Sequence, residues 1–185
     1  METKRELRKR IIKEIALLSY EERRRAEGVL KERIIEHQWF KNAKEVLLFV
    51  SYGGEIETKA IMEEAHRLHK KVYVPKIVHD KMEFYRIRPK EVLIEGYKGI
   101  SEPDLTVAHE CFAYTEDKAE HVLMIMPGIA FDTECNRVGY GKGFYDNYLA
   151  DKDTLHTIAV GFAMQLVPEI KAEGQDIRPM QVLCV

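Results

Sequence analysis

Residues 136 to 149 read NRVGYGKGFYDNYL, with glycines at 139, 141 and 143, the cations Arg137 and Lys142, and the acid Asp146. Alternating glycines let the backbone enter left-handed turns and bring bare N–H groups close to a ligand. Arg137 and Lys142 supply full positive charges, and a helix starting near Phe144 would add its positive N-terminal end. Together these features make an anion cradle, and a phosphate chain is the natural anion. Asp146 is an acid in a basic setting, and its simplest role there is to hold Mg²⁺ against phosphate oxygens. No named phosphate motif fits. Gly143, not Ser or Thr, follows Lys142, and Phe144 stands where a dinucleotide fingerprint needs its last glycine. A tight strand-to-helix turn with solvated charges is the alternative that spacing leaves open.

Other residues could join such a site. Lys4 and Arg8, four apart, project from one face of a helix, and Arg5, Lys9, Arg10 and Lys13 make that helix markedly basic. It suits either a polyphosphate or plain solvation. Glu2, Glu6 and Glu14 interrupt the patch and no aromatics interleave, so a nucleic-acid binder is the weaker reading. Glu55, just past Gly53 and Gly54, can accept from a ring N–H and an amino group, or merely cap the next helix. Tyr140 and Phe144 lie within the glycine stretch, where a flat heterocycle would stack; core packing is their alternative. His66 and His69 read as helix surface rather than metal ligands. Ser51 and Ser101 lack the GxSxG elbow of a hydrolase.

Positioning these residues takes an alternating α/β chain. Leu7, Ile11, Ile12, Ile15 and Leu18 set a helix over 3–17. Ser19 and Glu22 form a capping box for a second helix running to about His37. EVLLFVSY (45–52) is a buried strand, ETKAIMEEAHRLHKK a helix, and KVYVPKIV the next strand, which implies a parallel pair. KMEFYRI alternates and suits a hairpin partner or edge strand. Residues 89–118 are turn-rich, with GYKGISEPD as loop. HVLMIMP is a strongly buried strand, FYDNYLA opens a helix, and HTIAVGF and QVLCV are the last strands. The expected fold is one three-layer α/β/α domain over 1–185 with a mainly parallel, Rossmann-like sheet. Its glycine stretch lies beyond the carboxyl end of a strand, where open α/β sheets bind ligands.

Composition is that of an ordinary soluble chain of 185 residues, 45% hydrophobic and 32% charged. A net charge of −2 selects neither nucleic acid nor an anionic membrane. The longest apolar run, VLMIMPGIAF, is about half the ~20 residues a membrane span needs. The charged N-terminus carries no secretory signal. Cys111, Cys135 and Cys184 are odd in number and widely spaced, which suits reduced thiols and a cytoplasmic setting.

MPGIAFDTECNRVGYGKGFYDNYL resembles the signature of the 5-formyltetrahydrofolate cyclo-ligases, also called 5,10-methenyltetrahydrofolate synthetases, which reads roughly M-P-G-x-x-F-D-x-x-G-x-R-x-G-x-G-x-G-Y-Y-D-x-Y-L. KRELR at 4–8, EIET at 55–58 and GISEP at 99–103 match in order, so the resemblance covers nearly the whole chain. It implies ATP and Mg²⁺ as cofactors, 5-formyltetrahydrofolate as substrate, and no nucleic-acid or membrane partner; a monomer is expected. Carried across by position, Lys4, Arg5 and Arg8 would meet the ATP phosphates. Arg137, Gly139, Tyr140, Gly141, Lys142, Gly143, Phe144 and Tyr145 would wrap the nucleotide, with Lys142, Arg137 and Tyr145 nearest the chemistry. Val50, Glu55, Tyr140 and Phe144 would line the folate site, with Glu55 facing the pterin. Asp146 and Asp176 would hold the metal. Cys135 stands where the family has glycine, and Phe144 replaces the first tyrosine of Tyr-Tyr-Asp. The rival reading from the glycine loop alone is a phosphosugar- or CoA-handling enzyme on a similar sheet.

Overall fold

Two capping boxes start the chain, in a computed structural model that describes residues 2–185. Thr3 and Glu6 cap helix α1 (Lys4–Ala16), and Ser19 and Glu22 cap helix α2 (Tyr20–Glu36), each box satisfying two backbone donors. The second box is the expected one. A short helix α3 (Gln38–Asn42), absent from the expected order, follows because His37 Nδ1 accepts the Trp39 N–H at 3.1 Å.

The remaining elements are β1 (Glu45–Leu48), α4 (Lys59–Arg67), β2 (Lys71–Val78), β3 (Lys81–Ile87), β4 (Ile94–Glu95), β5 (Ser101–Glu102), β6 (Val122–Met126), β7 (Ala130–Phe131), β8 (Arg137–Val138), α5 (Phe144–Leu149), β9 (His156–Gly161) and β10 (Gln181–Cys184). The central sheet has the order β10-β9-β6-β1-β2-β3. All its pairings are parallel except β2–β3, so β3 is the antiparallel edge strand.

Side-chain alternation buries both faces of the sheet. Val46, Leu48, Val72, Leu123, Ile125 and Ile158 pack with Leu7 and Ile11 of α1, Leu30 and Ile34 of α2, and Ile61 of α4. Leu47, Tyr73, Met124, Met126 and Ala159 face the other way, against Phe84, Phe112 and Leu149. Each fully buried Val, Leu, Ile, Met or Phe among them contributes about 1.5–3 kcal/mol. The apolar stripe of α1 therefore fixes the basic helix against the sheet, with Lys4 and Arg8 on its flank.

Two expectations are corrected. The strand expected over 45–52 pairs only through Leu48. Beyond it, Ser51 Oγ donates to Ile56 O, and Thr58 Oγ1 to Phe49 O, so side chains replace the ladder and turn the chain. Within GYKGISEPD, expected as loop, Ser101 and Glu102 pair with Glu95 and Ile94 in a two-residue antiparallel ladder. Between β6 and the glycines, β7 and β8 pair as a hairpin that carries Arg137, an element outside the expected order.

Candidate active site

Strand addition reverses direction between β1 and β6, which lie side by side at the middle of the sheet. Such a switch point leaves a crevice beyond the carboxyl ends of the two strands. The segment after β1 brings Val50 to Glu55 there, and the segment after β6 brings the β7–β8 hairpin and the glycine stretch.

Asp132 fixes that hairpin. Its Oδ1 accepts the N–H groups of Glu134 at 3.0 Å and Asn136 at 2.9 Å, and its Oδ2 accepts Asn136 Nδ2 at 2.9 Å and the Ile170 N–H at 2.8 Å. Burial opposes the charged carboxyl, but the donors of Asn136, Ile170 and Glu134 outweigh it and hold Asp132 below the usual range. Cys135 occupies the turn at φ +60°, where glycine would be unstrained. Asp132 holds the turn from both sides, so the hairpin closes with a residue other than glycine at this strained position.

Arg137 follows directly. Its side chain is 4% exposed, with Nη2 2.9 Å from Asp146 Oδ1. Nη1 lies 3.5 Å from Pro127 O, the guanidinium sits 5.6 Å from the Tyr145 ring centre, and the buried Nε has no partner. Gly139 is needed for close approach, since a Cβ there would stand 2.8 Å from Arg137 Nη1. Gly141 and Gly143 take φ of +92° and +67°, which side chains disfavour. Helix α5 spans only six residues. A helix this short carries little of the expected dipole, which leaves the loop amides as the feature of this stretch that could suit an anion.

Helix α1 reaches the same loop. Arg8 Nε donates to Gly139 O at 2.7 Å, and a Cβ on Gly141 would lie 3.7 Å from Arg8 Nη2. Lys4 Nζ lies 2.6 Å from Asp176 Oδ2 and 3.4 Å from Glu173 Oε1. Burial raises the Asp176 carboxyl, but Lys4 and the Glu173 N–H outweigh it, so the group stays ionised below its ordinary value. The next residue, Ile177, donates its N–H to Asp146 Oδ1 at 3.1 Å.

Glu55 is not the cap of α4. Glu57 Oε1 takes that place, accepting the N–H groups of Thr58 and Lys59 at 2.9 Å. Glu55 Oε2 instead accepts the Tyr52 N–H at 2.9 Å. Burial pushes its carboxyl up to about 7, against the Tyr52 N–H and the Tyr140 hydroxyl, which favour the anion. The Tyr140 hydroxyl is pushed upward by burial and by that carboxylate. Burial likewise raises Tyr145, which stays a neutral phenol. Phe144 meets Tyr97 edge-on, with ring centres 5.7 Å apart.

The fold thus brings Lys4, Arg8, Arg137, Gly139, Gly141, Gly143, Tyr145, Asp146 and Asp176 to one corner. Glu55 and Tyr140 face each other beside it. Val50 is half-buried and packs against the core at the foot of the crevice. Lys142 is exposed at the loop's edge. Arg5 is exposed and turned about 100° from Lys4 around the helix, so it lies off this corner. Lys4 and Arg8 are half-buried and partnered, not a solvated face. Asp132, Asn136 and Tyr97 escaped the sequence reading. Asp132 falls on the fixed Asp of the M-P-G-x-x-F-D signature, and the Asp-x-x-x-Asn spacing across a turn was a second signal that joins it to Asn136.

Three kinds of hydrogen-bond donor gather here: loop amides, the Arg8 and Arg137 guanidinium groups, and the Lys4 and Lys142 ammonium groups. The orphaned Arg137 Nε is a donor without an acceptor. Among the described residues no three His, Cys, Asp or Glu side chains form a metal-binding group. A cation at Asp146 and Asp176 would complete its shell with ligand oxygens and water, which is how Mg²⁺ is usually held.

The chain matches the 5-formyltetrahydrofolate cyclo-ligase family over residues 1–185. It is 29% identical over 190 residues to mouse 5-formyltetrahydrofolate cyclo-ligase, covering 97% of this chain and 92% of that one. The Escherichia coli K12 protein of the same name is 33% identical over 141 residues, covering 73% and 74% of the two chains. Among solved structures, Aquifex aeolicus 5,10-methenyltetrahydrofolate synthetase superposes with a TM-score of 0.83 at 29% identity, over 97% and 89% of the chains. A Mycoplasma pneumoniae protein at 18% identity and TM-score 0.76 shares the fold.

Proposed function

The chain belongs to the 5-formyltetrahydrofolate cyclo-ligase family, and from that premise we propose that it closes 5-formyltetrahydrofolate to 5,10-methenyltetrahydrofolate with ATP and Mg²⁺. The observation that carries this reading is the convergence of Arg8 and Arg137 on Gly139, beside Lys4, Asp146 and Asp176.

The chemistry sets the demand. The N5-formyl group is an amide, and its oxygen leaves poorly. Phosphorylation of that oxygen forms a C–O–P link and releases ADP; N10 then attacks the formyl carbon and phosphate departs. Such transfer needs positioning and charge neutralisation more than a protein nucleophile. Arg137, whose Nη1 lies beside Gly139, and Lys142 neutralise the transferring phosphoryl group. Arg8 holds the loop by Gly139 O, which leaves its terminal nitrogens beside Gly141 for phosphate oxygens. Tyr145 supports the Arg137 guanidinium with its ring face. Mg²⁺, held by Asp146 and Asp176, supplies further neutralisation of the phosphates when bound. Tyr140 and Phe144 offer ring faces to the pterin, and Glu55 accepts from its N–H groups above Val50.

Methenyltetrahydrofolate absorbs in the near ultraviolet where the formyl substrate does not. Mixing the protein with 5-formyltetrahydrofolate and MgATP should raise that absorbance in step with ADP release. A folded protein that hydrolyses or binds ATP without the rise would overturn the assignment.

A further inference from the structure

Both acids of the corner are already paired with the cations meant for phosphate. Lys4 and Asp176, 172 residues apart, meet at 2.6 Å with side chains 15% and 19% exposed. Arg137 and Asp146 meet at 2.9 Å. The two pairs are joined through adjacent residues, since Asp176 takes Lys4 while the Ile177 N–H goes to Asp146.

We propose that Asp176 withholds Lys4 from a polyphosphate until a divalent cation takes its place; this rests on the nucleotide reading above. The two cations differ in what they can share. Arg137 is a fork whose Nη1, 3.5 Å from Pro127 O and beside Gly139, can turn to phosphate while Nη2 keeps Asp146. Lys4 is a point charge, and moving it onto phosphate strands the half-buried Asp176 beside fresh negative charge. Glu173, at 3.4 Å and mostly exposed, is a poor substitute partner for Lys4 and none for Asp176. A metal removes the conflict by exchange: the carboxylate keeps a cation and the ammonium keeps an anion. The Lys4 contribution is then realised only with metal present.

The test is calorimetric titration of ATP, without folate, into the whole protein in EDTA or in Mg²⁺. Wild type, Asp176→Asn and the double variant Lys4→Met/Asp176→Asn are compared, the double variant removing Lys4 without stranding its carboxylate. Linkage of this kind is typically worth about 5- to 150-fold in affinity. D176N should bind metal-free ATP about tenfold tighter than wild type and narrow the gap between the two conditions. K4M/D176N should bind MgATP about tenfold more weakly than wild type while its metal-free affinity stays within about twofold of wild type. Metal-free affinity that is unchanged or lower in D176N, or a loss in K4M/D176N equal in both conditions, overturns the proposal. Thermal unfolding checks each variant, and if D176N does not fold, the double variant decides. Wild type that binds no MgATP at all retires the nucleotide reading itself.

Discussion

Asp146 Oδ1 is shared: Arg137 Nη2 donates to it at 2.9 Å and the Ile177 N–H at 3.1 Å. One carboxylate oxygen thus ties the glycine stretch to the C-terminal segment and aims a guanidinium that is almost wholly enclosed. The fork geometry matters, because a second nitrogen of the same group faces Pro127 O and a third has no protein partner.

Arg137→Lys keeps the charge and loses the fork. An ammonium cannot hold Asp146, stack on Tyr145 and still donate to a phosphate. The expected loss in kcat/KM for ATP is about 3 kcal/mol, roughly a hundredfold or more. Steady-state kinetics at saturating folate check it. A variant within a fewfold of wild type would show that charge alone suffices.

Lys142→Ala tests the opposite case, an exposed cation whose side chain costs the fold little to remove. Turnover should fall about a hundredfold, while the thermal midpoint stays unchanged because surface substitutions are usually within ±0.5 kcal/mol. Near-normal turnover would remove Lys142 from the chemistry.

Glu55 should give the reaction a pH dependence. Its folded carboxyl titrates at about 7, above the unfolded value near 4.5. A raised carboxyl favours the protonated fold. Its contribution to stability is full below the unfolded value and is lost as pH rises through about 7. Binding of a donor-bearing ring needs the anion, so kcat/KM for 5-formyltetrahydrofolate should climb through that same pH and level off above it. Glu55→Gln should flatten the rise and lower the plateau. A wild-type profile flat between pH 6 and 8 would remove Glu55 from that role.

Much of this was legible in the sequence wherever the signal is local. VLMIM is apolar throughout because β6 is buried on both faces, and Ser19 and Glu22 announce a helix start within four residues. The glycine stretch declared itself by composition. What escaped depends on distant partners or on elements too short for a period. β7 and β8 have two residues each, and Asp132 shows its purpose only through Ile170, 38 residues on. Lys4 and Asp176 were each legible as charges. That they neutralise one another is a property of how α1 packs, which no spacing encodes.

Asp132 should matter to stability more than any residue singled out for chemistry. It is 2% exposed and accepts four hydrogen bonds, two of them from Asn136. Asp132→Ala strands those buried donors, at about 1–3 kcal/mol for each one left without a partner. Denaturant unfolding should show a loss of roughly 3–5 kcal/mol, in the range for breaking a buried charged network. A loss below about 1 kcal/mol would mean that water replaces the carboxylate readily.

Cys135→Gly should run the other way. The cysteine holds φ +60°, a region that costs an L residue about 1–2 kcal/mol. Glycine adopts it freely but has more freedom to lose on folding, about 0.5–1 kcal/mol. The first effect exceeds the second, so the variant should gain roughly 0.5–1 kcal/mol, seen as a higher unfolding midpoint. Because Asp132 already fixes the hairpin, Arg137 should keep its aim and turnover should stay within about twofold. A lower midpoint would mean that the partly buried thiol packs better than its strained backbone costs. A large change in turnover at unchanged stability would instead show that the strained turn, and not Asp132 alone, sets the direction of Arg137.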